Sequence, residues 1–339
     1  SEKDLRILHA SYRHPLREHR MKVLNGRIVI MTPIGSVNRF LTLIIVPKQL
    51  RRTIFHAYHT TPMGAHMKRF KTLLIIRGRF FWPGMRKDIF EWVRGCAGCI
   101  PANARIRESS GLVQSWPITT PFAIISVDLW APGAMSDFKG RHHLLNAMCD
   151  MTQFVVCTAT EHITASHLAR LFMENFLLVF GLCAVVVVDA DSKFKSTFVE
   201  MADCLKIKVH VAASRNHRTV GVERFHKFLN HTTTIYAEER GTPECFVECA
   251  MVSAYAWNAS PIDGTEIIRS IPAIGRELKF PMDIHIAKIP TVIDSASKSV
   301  VTYLRHIQND VQFSRISVMA IRGQTNSATR TSKRKTLFS

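Results

Sequence analysis

Two sets of side chains in this sequence could do chemistry. The first is acidic: Asp128 in ISVDLWAPG, Asp189 in VVVVDADSKFKSTF and Glu223 in TVGVERFHKFLN. Metal-assisted phosphoryl transfer uses two hard cations about 4 Å apart, and Mg²⁺ or Mn²⁺ takes carboxylate oxygens readily. Three acids from three separate elements could bridge and flank such a pair. Each acid has a plainer role open to it. Asp128 could cap a turn, Asp189 or Asp191 could cap the next helix, and Glu223 could be a solvated helix residue. Asp150, at the end of another strand, is a reserve ligand. His226, Lys227 and Asn230 follow Glu223 at i+3, i+4 and i+7, on one helix face, where they could touch phosphates or bases. Val222, Phe225 and Leu229 form the apolar side that can pack on a sheet.

The second set is His59, His66, Cys96 and Cys99. Two imidazoles and two thiolates satisfy tetrahedral zinc, and a C-x-x-C loop lets both sulfurs reach one ion. Four protein ligands leave no open position, so this zinc is expected to be structural. A module this small has too little core to be comfortable alone, and a metal would supply the missing stability. His56 is a rival for His59. Between the ligand pairs, helices are expected near Lys68 to Ile76 and from Met85 to Arg94, with Phe81, Trp82, Ile89, Phe90 and Trp92 filling the space between them.

The surrounding elements must position these groups. Residues 1–26 are basic and weakly patterned. Arg27 to Thr32 and Phe40 to Val46 look like two strands of a hairpin around PIGSVN. A linker is expected over Ile100 to Thr120, with a boundary near Gly111. Strands follow at Phe122 to Leu129, His143 to Asp150 and Phe154 to Thr160. A helix over Thr164 to Phe180 is expected from Leu168, Leu171, Phe172, Phe176 and Val179, with Gly181 as its stop. Four consecutive valines before Asp189 cannot alternate a buried and an exposed face, so Ala184 to Asp189 suits a strand covered on both sides. A helix at Ser196 to Leu205, a strand at Lys208 to Ala212 and a long helix from Thr219 to about Glu238 complete a mixed sheet with flanking helices. The fold class is therefore α/β (α+β). The expected divisions are an N-terminal extension (1–46), the zinc module (47–105), the mixed-sheet domain (112–265) and a C-terminal extension with a basic tail (266–339).

Composition agrees with a polyanionic partner. Lys and Arg number 45 against 26 Asp and Glu, a formal charge of +19, which favours nucleic acid. The opening SEKDLRILHASYRH is polar and charged, so no secretory signal is expected, and no apolar run is long enough for a membrane span. Of eight cysteines only Cys96 and Cys99 form a tight pair, so reduced thiols are expected. G-x-S-x-G, P-loop and zinc-protease motifs are missing, which argues against those hydrolase and NTPase classes.

Taken with HTTPMGAHMKRFKTL, FFWPGMRKDIFEWVRGCAGC and YAWNASPIDGTEIIRSIPAIGRELKFP, these stretches resemble the integrase of a long-terminal-repeat retrotransposon, most closely the Ty3/gypsy type, whose core retroviruses share. The resemblance runs in family order over roughly residues 27–285. It implies a ribonuclease-H-like core in which Asp128, Asp189 and Glu223 hold Mg²⁺ or Mn²⁺. A zinc domain with His59, His66, Cys96 and Cys99 would precede it. Phe194 matches the aromatic of the motif after Asp189 and favours Asp189 over Asp191. The implied chemistry is removal of terminal nucleotides from element DNA, followed by attack of the new 3′-hydroxyl on target DNA. The implied partners are DNA and further copies of the chain. The expected location is the nucleus, with a cytoplasmic virus-like-particle stage, and the tail Arg330 to Lys335 could serve as a nuclear-entry signal or a DNA contact. Residues 190–222, 33 in all, separate Asp189 from Glu223, fewer than the family usually has. That spacing keeps open a decayed or adopted integrase acting as a DNA-binding scaffold. A nuclease acting on RNA in hybrids is a third possibility.

Overall fold

The computed structural model describes residues 20–24, 27–33, 40–100, 120–131, 137, 139–189, 194, 197–212, 220–240, 245–263 and 265–286. The expected linker with its boundary at Gly111, the rival acid Asp191 and the basic tail fall outside these residues. The chain divides into two compact units, one of residues 1–96 with 279–296, the other of residues 97–278 with 297–339.

The first unit contains strands β1 (Arg20–Leu24), β2 (Arg27–Pro33), β3 (Phe40–Ile45) and β4 (Phe80–Phe81), in that order across one sheet. The expected hairpin is β2 against β3, paired antiparallel from Val29↔Ile44 to Pro33↔Phe40. Strand β1 extends it inside the stretch that reads as unpatterned. Helices α1 (Arg51–His59), α2 (Arg69–Arg77) and α3 (Met85–Arg94) follow. Their inward faces bury Ile54, Phe55, Tyr58, Ile75, Ile76, Met85, Ile89 and Val93. Trp82 is buried between them, and its indole N–H donates to Asp88 at 2.9 Å. Phe81, Phe90 and Trp92 are only half-buried. A later segment returns to this unit as α9 (Pro281–Ile286), where Asp283 accepts from the Tyr58 hydroxyl at 2.5 Å and from Arg79 Nε at 2.6 Å.

The second unit is built on a five-stranded sheet of β5 (Ile124–Trp130), β6 (His143–Cys149), β7 (Val155–Thr160), β8 (Val185–Asp189) and β9 (Lys208–Ala212). The strand order is β7-β6-β5-β8-β9, antiparallel across the first three and parallel from β5 to β9. The valine run behaves as its sequence demands. Val186 and Val188 enter the larger core on one face, and Val187 packs with Ile124 on the other.

That larger core lies under α4 (Ala165–Phe172) and α5 (Thr197–Cys204) and includes Leu168, Phe172, Phe176, Phe194 and Phe198. The single helix expected to Phe180 is interrupted. Met173–Leu177 form a wider π-turn before a last helical stretch at Leu178–Phe180. The extra residue in that turn lets Phe176 and Leu177 both face the core. It also rotates Val179, expected inside, out to 64% exposure.

The opposite face carries α6 (Val220–Arg240) and α7 (Phe246–Asn258). Val222, Phe225 and Leu229 pack there with Trp130, Leu144, Met148 and Trp257. Burying three such side chains contributes about 1.5–3 kcal/mol each, which is what seats α6. After α7 the chain is locked by Arg269, which is fully buried in this unit. Its guanidinium donates to the Ser260 and Pro261 carbonyls at 3.1 and 2.5 Å and to Gln153 Oε1 at 3.1 Å, with Cζ 4.0 Å over the Trp257 ring. The short helix α8 (Ser270–Ile274) follows it.

Candidate metal centres

The histidine and cysteine set converges. Ligand atoms of His59, His66, Cys96 and Cys99 all lie within 4.8 Å of one another. His59 ends α1 and is buried, whereas its rival His56 is exposed and pairs with Thr60 Oγ1 at 3.2 Å. The loop after α1 turns back sharply. Ala65 and His66 both take positive φ, 49° and 43°, and His66 N donates to the His59 carbonyl at 2.9 Å. Gly64 makes this possible, because a Cβ there would stand 2.6 Å from the His59 backbone nitrogen. Backbone held in a sparsely populated region marks a place that the surroundings over-determine.

One residue that sequence reasoning did not find completes this centre. Thr72 Oγ1 donates to the Met67 carbonyl at 2.9 Å and lies 3.3 Å from His59 Nδ1. A hydroxyl has a single proton, already given to Met67, so Thr72 accepts from His59 Nδ1–H. That assignment leaves the Nε2 lone pair for an ion and fixes the ring. Burial holds the His59 pKa below the ordinary value, with the Cys96 thiol acting in the opposite sense. A neutral imidazole is the form that binds metal. The donor set, its closeness and the oriented ring all fit zinc.

The acidic set is arranged differently. Val127 on β5 pairs with Val188 on β8. Asp128 and Asp189 are each the next residue, so they leave neighbouring parallel strands level with one another and on the same side. Asp128 Oδ1 accepts from Leu129 N at 2.8 Å, and Oδ2 lies 3.7 Å from His226 Nδ1. The other ring nitrogen of His226 meets Asn146 Nδ2 at 3.0 Å, and Asn146 is the residue paired with Asp128 across β5 and β6. One turn on, Trp130 Nε1 donates to Asn230 Oδ1 at 2.8 Å. His226 therefore turns toward the sheet, and burial pushes its pKa down to about 4. Lys227 and Glu223 are exposed, with Glu223 in the first turn of α6 on the Asp128 side of the sheet.

Among the described residues, the histidine and cysteine set alone reaches the 4.8 Å spacing. The three acids share one side of the sheet without being gathered that closely. Asp150, the reserve ligand, does not join them. Because Ile125 pairs with Cys149, Asp150 sits beside the start of β5, at the end of the sheet away from Asp128 and Asp189.

Residues 46–105 match the family model described as integrase zinc binding domain. Among curated proteins, the chain is 25% identical over 215 residues to the retrovirus-related Pol polyprotein from transposon 412 of Drosophila melanogaster, covering 62% of this chain and 17% of that protein. It is 31% identical over 157 residues to the transposon Tf2-3 polyprotein of Schizosaccharomyces pombe, covering 45% and 12%. The chain thus spans less than a fifth of the length of these relatives. Among solved structures, the simian T-cell lymphotropic virus intasome in complex with PP2A regulatory subunit B56 gamma overlaps it with a TM-score of 0.44 at 15% identity, covering 65% of this chain and 74% of that one. An overlap of that size carries no weight beside the strand order itself.

The strand order and the preceding His₂Cys₂ module define a ribonuclease-H-like mixed sheet with flanking helices behind a zinc-binding-type domain. With the matches to transposon polyproteins, the chain resembles retrotransposon integrases over these stretches. Among the described residues no helix is long and apolar enough to cross a membrane.

Proposed function

We propose that the chain is a retrotransposon integrase that trims the ends of element DNA and joins the new 3′-hydroxyls to target DNA. The observation that carries this reading is the level placement of Asp128 and Asp189 on adjacent parallel strands, with α6 and its Glu223 laid over the same side. These three carboxylates would hold Mg²⁺ or Mn²⁺, which supplies Lewis acidity at phosphorus when bound. His226, backed by Asn146, orients the Asp128 carboxylate. Exposed Lys227 offers a phosphate contact. Asn230, its carbonyl oxygen held by Trp130, can still donate from its amino group to DNA. Water or a DNA hydroxyl is the nucleophile, and no covalent protein adduct is required. Zinc on His59, His66, Cys96 and Cys99 stabilises the first unit. The charge of +19 favours DNA, and copies of the chain would bring two DNA ends together in the nucleus.

Incubating the protein with element-end DNA and Mn²⁺ should give strand-transfer products that Asp189→Asn abolishes. Products persisting in that variant would overturn the assignment. A second reading, a DNA-binding scaffold descended from an integrase, is favoured by the spacing of Glu223 from the aspartates. Metal-independent DNA binding with no cleavage of duplex or hybrid substrate would select it.

A further inference from the structure

The outer face of the first unit carries a group of side chains that neither metal centre uses. Helix α3 buries Met85, Ile89 and Val93, one stripe of its surface. Its other side presents Arg86, Lys87, Phe90 and Arg94 around an open groove of ≈ 650 Å³. Arg69, at the start of α2, places its guanidinium 5.0 Å from the centre of the Phe90 ring and 5.5 Å from that of Phe70. Arg86 lies 5.4 Å from the Phe90 centre. Phe70 meets Phe90 edge-on at 4.9 Å and remains 52% exposed.

The charges here are uncommitted. Among the described residues Arg69, Arg86, Lys87 and Arg94 form no ion pair. The nearby Asp88 is engaged by Trp82 and Arg51. Three cations of the groove, with Arg69 beside the Phe90 ring, therefore face one acid, Glu91. Arg86 and Arg94 stand about 12 Å apart along the helix, so a chain of anionic groups could be followed rather than one anion captured. An exposed aromatic ring beside that track is unfavourable in water, and it is the element that a run of phosphates alone would not need. Base stacking on aromatic rings, with cations along the backbone, is how single strands are held without sequence readout.

We propose that this α2–α3 face binds single-stranded nucleic acid, with Arg69, Arg86, Lys87 and Arg94 on the phosphates and an unpaired base stacked on Phe70. The proposal deepens the DNA-processing reading and rests on it for the nature of the partner. It names a contact that recognises unpaired bases, which a duplex alone does not present.

The test uses the full chain, zinc-loaded and without Mg²⁺ or Mn²⁺, so that it reports binding and not catalysis. Affinity for a fluorescent single-stranded oligonucleotide and for its duplex is measured for the parent, Phe70→Ala and the double variant Arg86→Ala with Arg94→Ala. Zinc content and thermal melting confirm that each variant is folded. Phe70→Ala should weaken single-strand binding about five- to a hundredfold and leave the duplex within about twofold. The arginine variant should weaken both and flatten the salt dependence. As a second readout, the emission that Phe70→Trp adds over the parent should be quenched by the single strand. Unchanged single-strand affinity in Phe70→Ala, equal losses for both forms, or displacement of the oligonucleotide by poly-glutamate at equal charge would each overturn the proposal. The last would assign the face to an acidic protein. Strand transfer by a protein whose Phe70 variants bind normally would remove this proposal and leave the enzyme reading standing. The converse result would remove only the enzyme reading.

Discussion

The carboxamide of Asn146 on β6 and the imidazole of His226 on α6 meet at 3.0 Å, 80 residues apart in sequence. His226 Nδ1 lies 3.7 Å from Asp128 Oδ2, and Asn146 is the residue paired with Asp128 across β5 and β6. The helix itself is seated by Val222, Phe225 and Leu229, whose burial outweighs one hydrogen bond of about 1 kcal/mol. His226→Ala should therefore leave α6 in place and lower the melting temperature little. Strand transfer should fall about 10- to 100-fold, as when a partner of a metal ligand is removed. Oligonucleotide affinity should stay near that of the parent, because the ring points into the protein. Parallel binding and strand-transfer assays check this, and a matching loss of binding would return His226 to the DNA interface.

Gly64 tests the loop of the first centre. A Cβ at this position would meet Tyr58 and His59 backbone at 2.6–2.8 Å, where nothing flexible can yield. Overpacking of this kind costs about 1–3 kcal/mol or more. Gly64→Ala should lower zinc affinity and melt the first unit at lower temperature. Metal titration with a competing chelator measures the first, and a thermal scan followed by circular dichroism measures the second.

Thiol chemistry reads the same centre independently. Cys204 is exposed, while Cys183 is buried and its pKa is pushed up to about 11 by that burial. Burial raises the Cys157 thiol further still. A thiolate-directed alkylating reagent at neutral pH should therefore label Cys204 and spare Cys157 and Cys183. Chelating zinc should add Cys96 and Cys99 to the labelled set. Peptide mass mapping with and without chelator decides it, and full labelling of Cys96 in the zinc-loaded protein would contradict the ligand set.

Asp137 gives a pH dependence. Its carboxylate accepts from Lys139 N at 2.9 Å, Arg141 N at 2.8 Å and Arg141 Nε at 2.6 Å. Burial alone would raise its pKa, but the Arg141 and backbone donors outweigh that and hold it below the usual carboxylate value. A depressed folded pKa contributes stability above the unfolded value of 3.8, and that stability is lost as pH falls through the lower folded value. Melting followed from pH 6 down to about pH 2 should show this acid-linked loss, and Asp137→Asn should remove it. An unchanged pH profile in that variant would show that Asp137 does not contribute.

Arg269 should be intolerant of truncation. Removing its guanidinium leaves the carbonyls of Ser260 and Pro261 and the Gln153 side chain buried without their donor, at about 1–3 kcal/mol for each unsatisfied group. Arg269→Ala should lower the melting temperature of the second unit by well over 5 °C, on the scale of about 4–8 °C per kcal/mol for small domains and less for larger ones. Calorimetry checks it.

Much of the second unit was legible because its strands and most of its helices announce themselves by period or by continuous apolar runs. Helix α7 did not. It buries Phe246, Val247, Cys249, Ala250, Ser253, Ala254, Ala256 and Trp257 on nearly every side, so no stripe marks it as amphipathic. The π-turn at Met173–Leu177 was equally invisible, since a wider turn is chosen by how Phe176 and Leu177 pack and not by local propensity. The four positions that could hold a metal in the first centre follow from residue type and spacing. Thr72 does not, because its role comes from a carbonyl five residues away and a ring thirteen away. The i+3 spacing placed His226 beside Glu223 correctly, but only Asn146 decides that this ring looks inward.

Asp283, which joins Tyr58 and Arg79 to the returning helix α9, lies more than two hundred residues after these two partners. During vectorial synthesis Tyr58 and Arg79 emerge long before Asp283, so this seam closes only once the intervening residues have been made. A fragment cut between Arg94 and Asp283 would expose a gap where a carboxylate belongs.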